Sequence, residues 1–391
     1  MELLIFCERF PPEKMKKLYF YEKPLPVRLY QIALTLLPNI GPKTGKELVA
    51  YCGGVEAVFG ESEKNLMKIP RVGKELVKSV KNGNVMERAE KELEFIDRKG
   101  IKTSFYLDKD YPQRLKHCDD HPLLLYHKGG VDWNTQKAIA IVGTRKATDY
   151  GKIVCEQLIS GLAHHEDLII ISGLAYGIDS CAHRNSLDNN IPTMAVLGHG
   201  LDRIYPPANK GLSDKILANG RLISEFPSQT TPDRENFPKR NRVVAGMVDA
   251  VIVVESGVKG GARITADIAN SYNRDVFAVP GKLHDTYSQG CNNLIKTNRA
   301  ALIESATDLE YIMGWDQDAQ KKKNTQRKLF VELSQEEEML ANSLRKNGTM
   351  AIDELILETK MGATQIASSL LNMEFEGIVK CLPGNVYCLI D

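Results

Sequence analysis

The stretch AIAIVGTR, residues Ala138–Arg145, decides the fold of this 391-residue chain. It opens with five consecutive apolar residues, a length typical of a strand buried on both faces, and it ends in Gly143-Thr144-Arg145. A helical pattern follows from about Tyr150 to Leu162. A strand, a glycine-containing turn and a helix in this order predict an anion site at the carboxyl edge of an open parallel sheet.

The same pattern recurs along the chain. Further strand candidates, each followed by a polar turn, lie at 168–172, 192–198, 221–225, 250–255, 275–281 and 301–305. Six or seven such units predict an α/β fold, an extended Rossmann-like domain with a doubly wound parallel sheet over residues 100–315. Short strands in its first part, 100–133, are expected to extend the sheet.

Residues 27–99 carry a helical pattern with two glycine-containing breaks, at Leu37–Val49 and Ile69–Val80. Each break places glycine and lysine before a helix start, which predicts an N-terminal helix-hairpin-helix (SAM-like) domain. Two interpretations stay open, because the glycine turns either bind DNA phosphates or only cap a structural bundle. The charges that would favour DNA are Lys43, Lys46, Arg71 and Lys74.

The C-terminal part predicts a winged-helix domain over residues 334–391, joined by a basic, polar linker at 316–333. Ser334 and Glu337 form a capping box for its first helix, and a hairpin is expected near the end of the chain. Its third predicted helix contains no lysine or arginine, which favours contact with a protein over contact with DNA. Residues 1–26 form a leader without an assignment.

Composition limits the classes of function. The formal net charge is only +1, so a nucleic-acid-binding surface would need its positive charge concentrated in a groove. No apolar run approaches the roughly 18 residues of a membrane span, and the amino terminus MELLIFCERF lacks the pattern of a signal peptide. The eight cysteines form no CxxC pair. A cytoplasmic protein with reduced thiols and no membrane partner is therefore expected.

The turns after the predicted strands share glycines, amides, hydroxyls and cations, and parallel strands bring these turns to one edge of the sheet. We call this predicted set the cationic rim. It comprises Gly143, Thr144, Arg145, Gly173, Tyr176, Gly177, Phe237, Lys239, Arg240, Asn241, Arg242, Lys259, Gly260, Gly261, Arg263, Thr265 and Asn292. Such a rim suits a run of phosphates with a base stacked on Phe237, so single-stranded nucleic acid is the predicted ligand.

Nucleotide cofactors are not predicted. The turn at Gly143 does not match the GxGxxG pattern of dinucleotide sites, and Gly41–Glu47 lacks the serine or threonine and the preceding strand of a Walker motif. No metal site is predicted either, since the histidines show no ligand spacing beyond the adjacent His164-His165.

Two sets of acid–base candidates stay open. Asp179 and His183 lie one helical turn apart and could face each other, although a capping carboxylate and a packed histidine are favoured. Glu225 and Glu255 end predicted strands at the functional edge. They are either catalytic or serve to orient the rim arginines.

Eight ordered motifs resemble the DNA-processing protein A (DprA, or Smf) family: IVGTR, ISGLAYGIDSCAH, VLGHGLDRIYPPAN, ISEFP, NFPKRNRVVAG, VVESG, ARITADIA and VFAVPG. The resemblance covers the chain from about Val27 onward. It implies a protein without catalytic turnover that binds single-stranded DNA, dimerises and loads the RecA recombinase in natural transformation. A single-strand-binding protein is a further implied partner.

The resemblance also assigns roles by position. Arg145 resembles the family's DNA-gripping arginine, and its basic segment is represented here by Lys239, Arg240 and Arg242. Tyr176 stands where the family usually has lysine or arginine, and Gly260–Arg263 replaces a more usual serine-glycine-hydrophobic run. The segment after VFAVPG contributes to dimerisation in the family. The apolar dimer contacts predicted in this chain are Leu294 and Ile295.

A nucleotide-hydrolysing enzyme is the alternative function, since the phosphoribohydrolases have a similar sheet topology. Those enzymes carry a PGGxGT motif followed by a glutamate. The nearest stretch here, Lys259–Thr265, lacks the proline, and Ala266-Asp267 follows it without a glutamate. The family resemblance is therefore preferred.

Overall fold

The computed structural model describes residues 26–81, 84–315 and 333–390. The predicted leader up to residue 25 and the predicted linker over 316–332 lie outside the described residues. The chain divides into two compact units, Met1–Ile101 and Lys102–Asp391. None of the helices in the described part is long and apolar enough to cross a membrane.

The first unit is helical, as its pattern predicts. Its helices are α1 (Val27–Leu36), α2 (Pro42–Cys52), α3 (Val55–Gly60), α4 (Glu63–Leu66), α5 (Lys74–Lys81) and α6 (Asn84–Lys99). Helices α2 and α5 begin within the two glycine-containing breaks, directly after Gly41 and Gly73. Pro42 occupies the first turn of α2, where a missing backbone N–H costs nothing. Whether these helix starts bind DNA stays a prediction.

The second unit is built on a nine-stranded sheet in the order β1-β2-β6-β5-β4-β3-β7-β8-β9. Its strands are β1 (Lys102–Phe105), β2 (Leu124–Gly129), β3 (Lys137–Val142), β4 (Leu168–Ser172), β5 (Thr193–Leu197), β6 (Gly220–Ser224), β7 (Ala250–Val253), β8 (Asp275–Ala278) and β9 (Ala301–Leu302). The strands from β6 to β9 in this order are parallel, whereas β1 and β2 form an antiparallel edge.

Helices cover both faces of the sheet. They are α7 (Gln113–Lys116), α8 (Asp149–Gly161), α9 (Ile178–Asp188), α10 (Lys210–Ala218), α11 (Asn236–Gly246), α12 (Gly261–Ser271), α13 (Gln289–Lys296) and α14 (Ala306–Met313). Alternate residues of β3 enter two different cores: Ala140 packs with residues of α11, α12 and α13, and Ile141 packs with residues of α8, α9 and α14. The prediction of a strand buried on both faces is thus confirmed.

The order of the strands creates a switch point beside β3. From β3 the chain winds outward through β4, β5 and β6, and it then returns to place β7 on the other side of β3. The backbone N–H of Thr144 donates to the carbonyl oxygen of Glu255 at 2.8 Å, which joins the turns that follow β3 and β7. Crevices at such switch points are where open α/β sheets bind ligands.

The C-terminal segment forms the predicted winged helix. Its elements are α15 (Gln335–Asn347), β10 (Met350–Ala351), α16 (Ile352–Thr359), α17 (Ala363–Phe375), β11 (Val379–Leu382) and β12 (Val386–Leu389). The capping box of Ser334 and Glu337 is present at the start of α15. The turn between β11 and β12 contacts the two residues directly before β8, where Gly384 N donates to Asn273 O at 2.9 Å and Arg274 Nη1 donates to Pro383 O at 2.6 Å.

Candidate nucleic-acid interface

A cavity of about 960 Å³ opens at the switch point, above the carboxyl ends of β3, β4 and β7. We call it the groove. Most of the cationic rim lines it: Gly143, Thr144, Arg145, Gly173, Phe237, Arg240, Asn241, Lys259, Gly260, Gly261, Arg263 and Thr265. The structure therefore brings together residues that are distant in sequence, since Gly143 and Thr265 are 122 residues apart.

The groove is positively charged although the chain as a whole is nearly neutral. The cations among its lining residues are Arg145, Arg234, Arg240, Lys259 and Arg263, and the carboxylates are Asp179 and Asp267. This excess of cations is the local concentration of charge that binding of a polyanion requires in a protein with a net charge of +1.

An exposed arginine lies over an aromatic ring at one end of the groove. The guanidinium carbon of Arg145 is 4.8 Å from the centre of the Phe237 ring, a cation–π arrangement that holds the charge at the solvent surface. The ring of Tyr205 lies 6.2 Å from that of Phe237 between centroids. Tyr176, Tyr205 and Phe237 border a smaller hollow beside the groove, so flat apolar faces stand next to the cations.

The amino end of α12 forms another wall of the groove. Gly260 is its N-cap residue, and no side chain caps the first turn. The backbone N–H groups at the start of a helix lack intrahelical acceptors and carry the positive end of the helix dipole. With Lys259 and Arg263 on either side, this helix start can hold a phosphate.

Arg240 is one of the predicted DNA-binding residues of the rim, but its guanidinium is turned inward. It is only 5% exposed, and its Nη1 donates to the carbonyl oxygens of Gly173 at 2.5 Å and Val196 at 2.7 Å. The guanidinium thus braces the carboxyl ends of β4 and β5 from the floor of the groove. A Cβ atom at Gly173 would overlap this guanidinium, which explains why the position is glycine. Burial lowers the pKa of Arg240 and raises the pKa of Asp179. The negative charge of Asp179 partly offsets the first shift, and the positive charge of Arg240 partly offsets the second.

Arg242 also differs from the prediction, because it does not line the groove. Its guanidinium donates to the Glu225 carboxylate and to the carbonyl oxygen of Asp120. Burial raises the pKa of Glu225 to about 7, against the effect of the arginine. Glu225 therefore orients Arg242, whereas Glu255 accepts hydrogen bonds from the N–H and hydroxyl of Thr148 and orients neither rim arginine.

The remaining rim residues lie beside the groove rather than in it. Lys239 is exposed on α11, and Tyr176 borders the smaller hollow. Gly177 has a φ of 77° and would clash with the Thr144 carbonyl if it carried a Cβ, so it serves the tight crossing of two turns. Asn292 is engaged internally, because its amide exchanges hydrogen bonds with the backbone of Gly281 at 2.8 and 3.1 Å.

Asp179 and His183 do not form a pair. The Nδ1 atom of His183 lies 2.7 Å from the hydroxyl of Thr193, and Asp179 accepts a hydrogen bond from the backbone of Ala175 at 3.4 Å. Burial lowers the pKa of His183 to about 3, which keeps the ring neutral at physiological pH. The acid–base interpretation of this pair is wrong because each side chain points to a different partner.

The neutral buried histidines predict a loss of stability in acid. Burial lowers the pKa of both His183 and His127 to about 3, below the value of about 6.5 expected when unfolded. At these two rings, the unfolded chain therefore binds more protons than the folded chain between these values, whereas the raised pKa of Glu225 acts in the opposite direction below about 7. The free energy of unfolding should fall by up to about 1.4 kcal/mol per pH unit for each ring as the pH decreases from about 6.5 towards 3. Urea denaturation at about pH 7, 6 and 5 measures this slope. The variant His183→Gln should reduce the slope by the contribution of one ring, because His127 keeps its own. An unchanged slope in that variant would contradict the assignment.

The structure does not place Leu294 at a surface where it could form the predicted dimer contact. Its side chain is 0% exposed and belongs to the core beneath the sheet, together with Val253 and Ala278. It is therefore not available to a second protomer. Ile295, the next residue on α13, is partly buried against the same core and stays a candidate.

Sequence reasoning missed part of the groove. Arg234, Tyr287 and Pro232 line it, and Tyr205 borders the smaller hollow. Each of them also lies in a loop that follows the carboxyl end of a strand, so position alone could have indicated them. Arg234 precedes α11 within the segment that carries the other basic residues.

Comparisons with known proteins identify the family of this chain. A family model described as DNA recombination-mediator protein A matches residues 102–313, and a model of the DprA winged helix domain matches residues 330–385. Protein Smf of Synechocystis sp. is 31% identical over 395 residues, which cover 92% of this chain and 98% of that protein.

Two solved structures are similar. The X-ray structure of DNA processing protein A from Streptococcus pneumoniae has a TM-score of 0.63 and 32% identity, covering 72% of this chain and 97% of that one. A structure of DNA processing protein A from Helicobacter pylori, described for its single-stranded DNA binding mode, has a TM-score of 0.50 and 29% identity. It covers 55% of this chain and 96% of that chain.

Proposed function

The chain belongs to the DNA recombination-mediator protein A (DprA) family, and on this premise we propose that it binds single-stranded DNA in the groove during natural transformation. The observation that carries the proposal is the exposed Arg145 guanidinium over the Phe237 ring, at the mouth of a groove in which cations outnumber carboxylates. The H. pylori relative described for binding single-stranded DNA supports the same ligand class.

The groove offers separate partners to the backbone and the bases of a strand. Phosphates would contact Arg145, Lys259 and the start of α12, all of which border the groove. Bases would stack on the neighbouring rings of Phe237 and Tyr205, at about 1–3 kcal/mol per base. Only unpaired bases can turn their faces to these rings, which favours single strands over duplex DNA.

The proposal extends to the partners of the bound strand. The protein would protect DNA in the cytoplasm and load the RecA recombinase onto it as a homodimer, with a single-strand-binding protein as a further partner and no catalytic turnover. The winged helix supports a role in protein contact. Its helix α17 carries no lysine or arginine, and Phe375 at its end is 83% exposed.

A titration across salt tests the ligand class. Single-stranded, double-stranded and mononucleotide ligands are compared by fluorescence anisotropy at several salt concentrations. If the protein neutralises about five phosphates of a single strand, the logarithm of its affinity should fall with that of salt at a slope of about −3.5. A flat dependence would indicate a small-molecule ligand. Release of free base from a nucleotide would instead support the phosphoribohydrolase alternative.

The homodimer has its own test on α13. The variant Ile295→Asp changes a partly buried side chain, so it should weaken self-association while the fold persists. The variant Leu294→Asp places a charge in the core and should cost about 4 kcal/mol or more of stability. Sedimentation velocity and thermal unfolding separate the two effects. A stable dimer of unchanged affinity in Ile295→Asp would remove this residue from the interface.

A further inference from the structure

Three side chains with metal-binding atoms meet at the amino edge of the sheet, opposite to the groove. His164 and His165 lie in the loop between α8 and β4, and Glu310 lies on α14. The ligand atoms of all three lie within 4.8 Å of one another. Since Glu310 follows the histidines by 145 residues, no local spacing in the sequence could indicate this cluster.

Both histidines converge on the same oxygen atom. Glu310 Oε1 lies 3.1 Å from His164 Nε2 and 2.9 Å from His165 Nε2. Ligands around a tetrahedral zinc ion, each about 2.0–2.2 Å from the metal, lie roughly 3.4 Å from one another. Each histidine nitrogen would thus need to move away from the Glu310 oxygen by only a few tenths of an ångström to admit an ion.

The surroundings resemble a site with one open position. The side chain of Glu310 is 10% exposed and that of His165 is also 10% exposed, whereas that of His164 is 62% exposed. The edge of the Trp315 ring packs against His165 at 5.6 Å between centroids and shields it from one side. Two imidazoles and a carboxylate, with solvent on the open side, form a ligand set that zinc accepts together with a water molecule.

The positive charge of Lys137 lies next to the cluster and disfavours binding of a metal ion there. Its Nζ atom lies 3.3 Å from His165 Nδ1 and 3.5 Å from Asp167 Oδ1. Donation from the ammonium to Nδ1 leaves the ring proton on Nε2, where it points to Glu310. For an ion to bind at Nε2, this proton moves to Nδ1 and Lys137 turns fully towards Asp167. The proton count of the ring is unchanged by this step.

We propose that His164, His165 and Glu310 bind a divalent transition-metal ion, with zinc as the preferred ion, and that the ion fastens α14 to the loop before β4. The site is separate from the groove and needs no DNA. Histidine nitrogen and carboxylate oxygen ligands favour zinc, cobalt and nickel over magnesium or calcium.

Cobalt provides the spectroscopic test on the full chain. Titration of the wild-type protein with Co²⁺ should produce the visible absorption of a tetrahedral nitrogen–oxygen site, saturating at one equivalent. It should lack the thiolate charge-transfer band that cobalt bound to the cysteines would give. Zinc should displace the cobalt and raise the thermal unfolding midpoint of the wild-type protein.

Matched variants identify the ligands. Loss of an outer-shell partner alone weakens metal binding by about 10–100-fold, so His164→Ala and Glu310→Gln should weaken it at least about 100-fold. His164 is exposed and glutamine preserves the shape of Glu310, so both variants should fold. His284→Ala, which removes an exposed histidine from the loop between β8 and α13 at the carboxyl edge of the sheet, is the control and should bind like the wild type.

Replacing Lys137 should change the affinity for the metal ion in the opposite direction. Lys137→Met should strengthen cobalt binding by about tenfold, because it removes a positive charge next to a ligand. A wild-type protein that binds no cobalt, a thiolate-type spectrum, or wild-type binding in both His164→Ala and Glu310→Gln would overturn the proposal. A cluster that serves only as a hydrogen-bonded brace would give the first of these results.

Discussion

Replacing Arg145 and Lys259 together by alanine should lower the affinity for single-stranded DNA by at least tenfold, about 1.4 kcal/mol. Both side chains are exposed at the mouth of the groove, and Arg145 stands over the Phe237 ring where a base would stack. Removing two phosphate contacts should also reduce the steepness of the salt dependence by about 1.4, since each contact with a single strand contributes about 0.7. Anisotropy titrations with oligo-dT measure both quantities.

The fold should persist in this double variant. Substitution of exposed side chains usually changes the free energy of unfolding by no more than about 0.5 kcal/mol. The matched control is Lys215→Ala with Lys296→Ala, which removes the same charge from exposed positions near the ends of α10 and α13. These ends lie towards the opposite edge of the sheet. An equal loss of affinity in the control would mean that net charge, and not the groove, governs binding.

The second large effect concerns stability. Arg240→Ala should lower the free energy of unfolding by about 3 kcal/mol or more, because it leaves the carbonyl oxygens of Gly173 and Val196 without their donor. It also leaves the buried Asp179 without the nearby positive charge that lowers its pKa. Urea denaturation followed by circular dichroism measures the change.

Lys239→Ala is the control for this prediction, since Lys239 precedes Arg240 on α11 and is exposed. It should leave stability within about 0.5 kcal/mol while reducing DNA affinity. If Arg240→Ala were as stable as the parent protein and lost only DNA binding, Arg240 would be a strand-gripping residue after all. The assignment of the brace between β4 and β5 would then be wrong.

Much of the architecture could be predicted because it follows from local patterns. The apolar run of β3, the Ser334–Glu337 capping box and the glycine-led starts of α2 and α5 each depend on residues within a few positions of one another. Alternating strands and helices imply that the strands are parallel. Parallel strands place the turns that follow them at one edge of the sheet, so the position of the rim could also be predicted.

The roles of individual basic residues could not be predicted in the same way. Lys239, Arg240 and Arg242 are neighbours in sequence, but successive positions on a helix point about 100° apart. Only packing decides that Lys239 faces solvent while the other two side chains turn inward. Their acceptors are distant in sequence, since Arg240 binds Gly173 across 67 residues and Arg242 reaches Asp120 across 122.

The burial of Leu294 could not be predicted from the sequence for the same reason. The pair Leu294-Ile295 offers two candidates for one interface, and the helix buries one fully while leaving the other partly accessible. The face of α13 that meets the sheet is set by its contact with the core beneath β7 and β8. A pair of adjacent apolar residues contains no information about that contact.

The place at which the winged helix is attached has a consequence for assembly. Its turn at Pro383-Gly384 is held at Asn273 and Arg274, directly before β8 and therefore at the end of the sheet remote from the groove. If the groove binds a nucleic-acid strand and this module docks a protein, as proposed, the strand and the attachment point of the module lie at opposite edges of the sheet. On this proposal, a ternary complex should form in either order of addition, and occupancy of one surface should leave the occupant of the other in place.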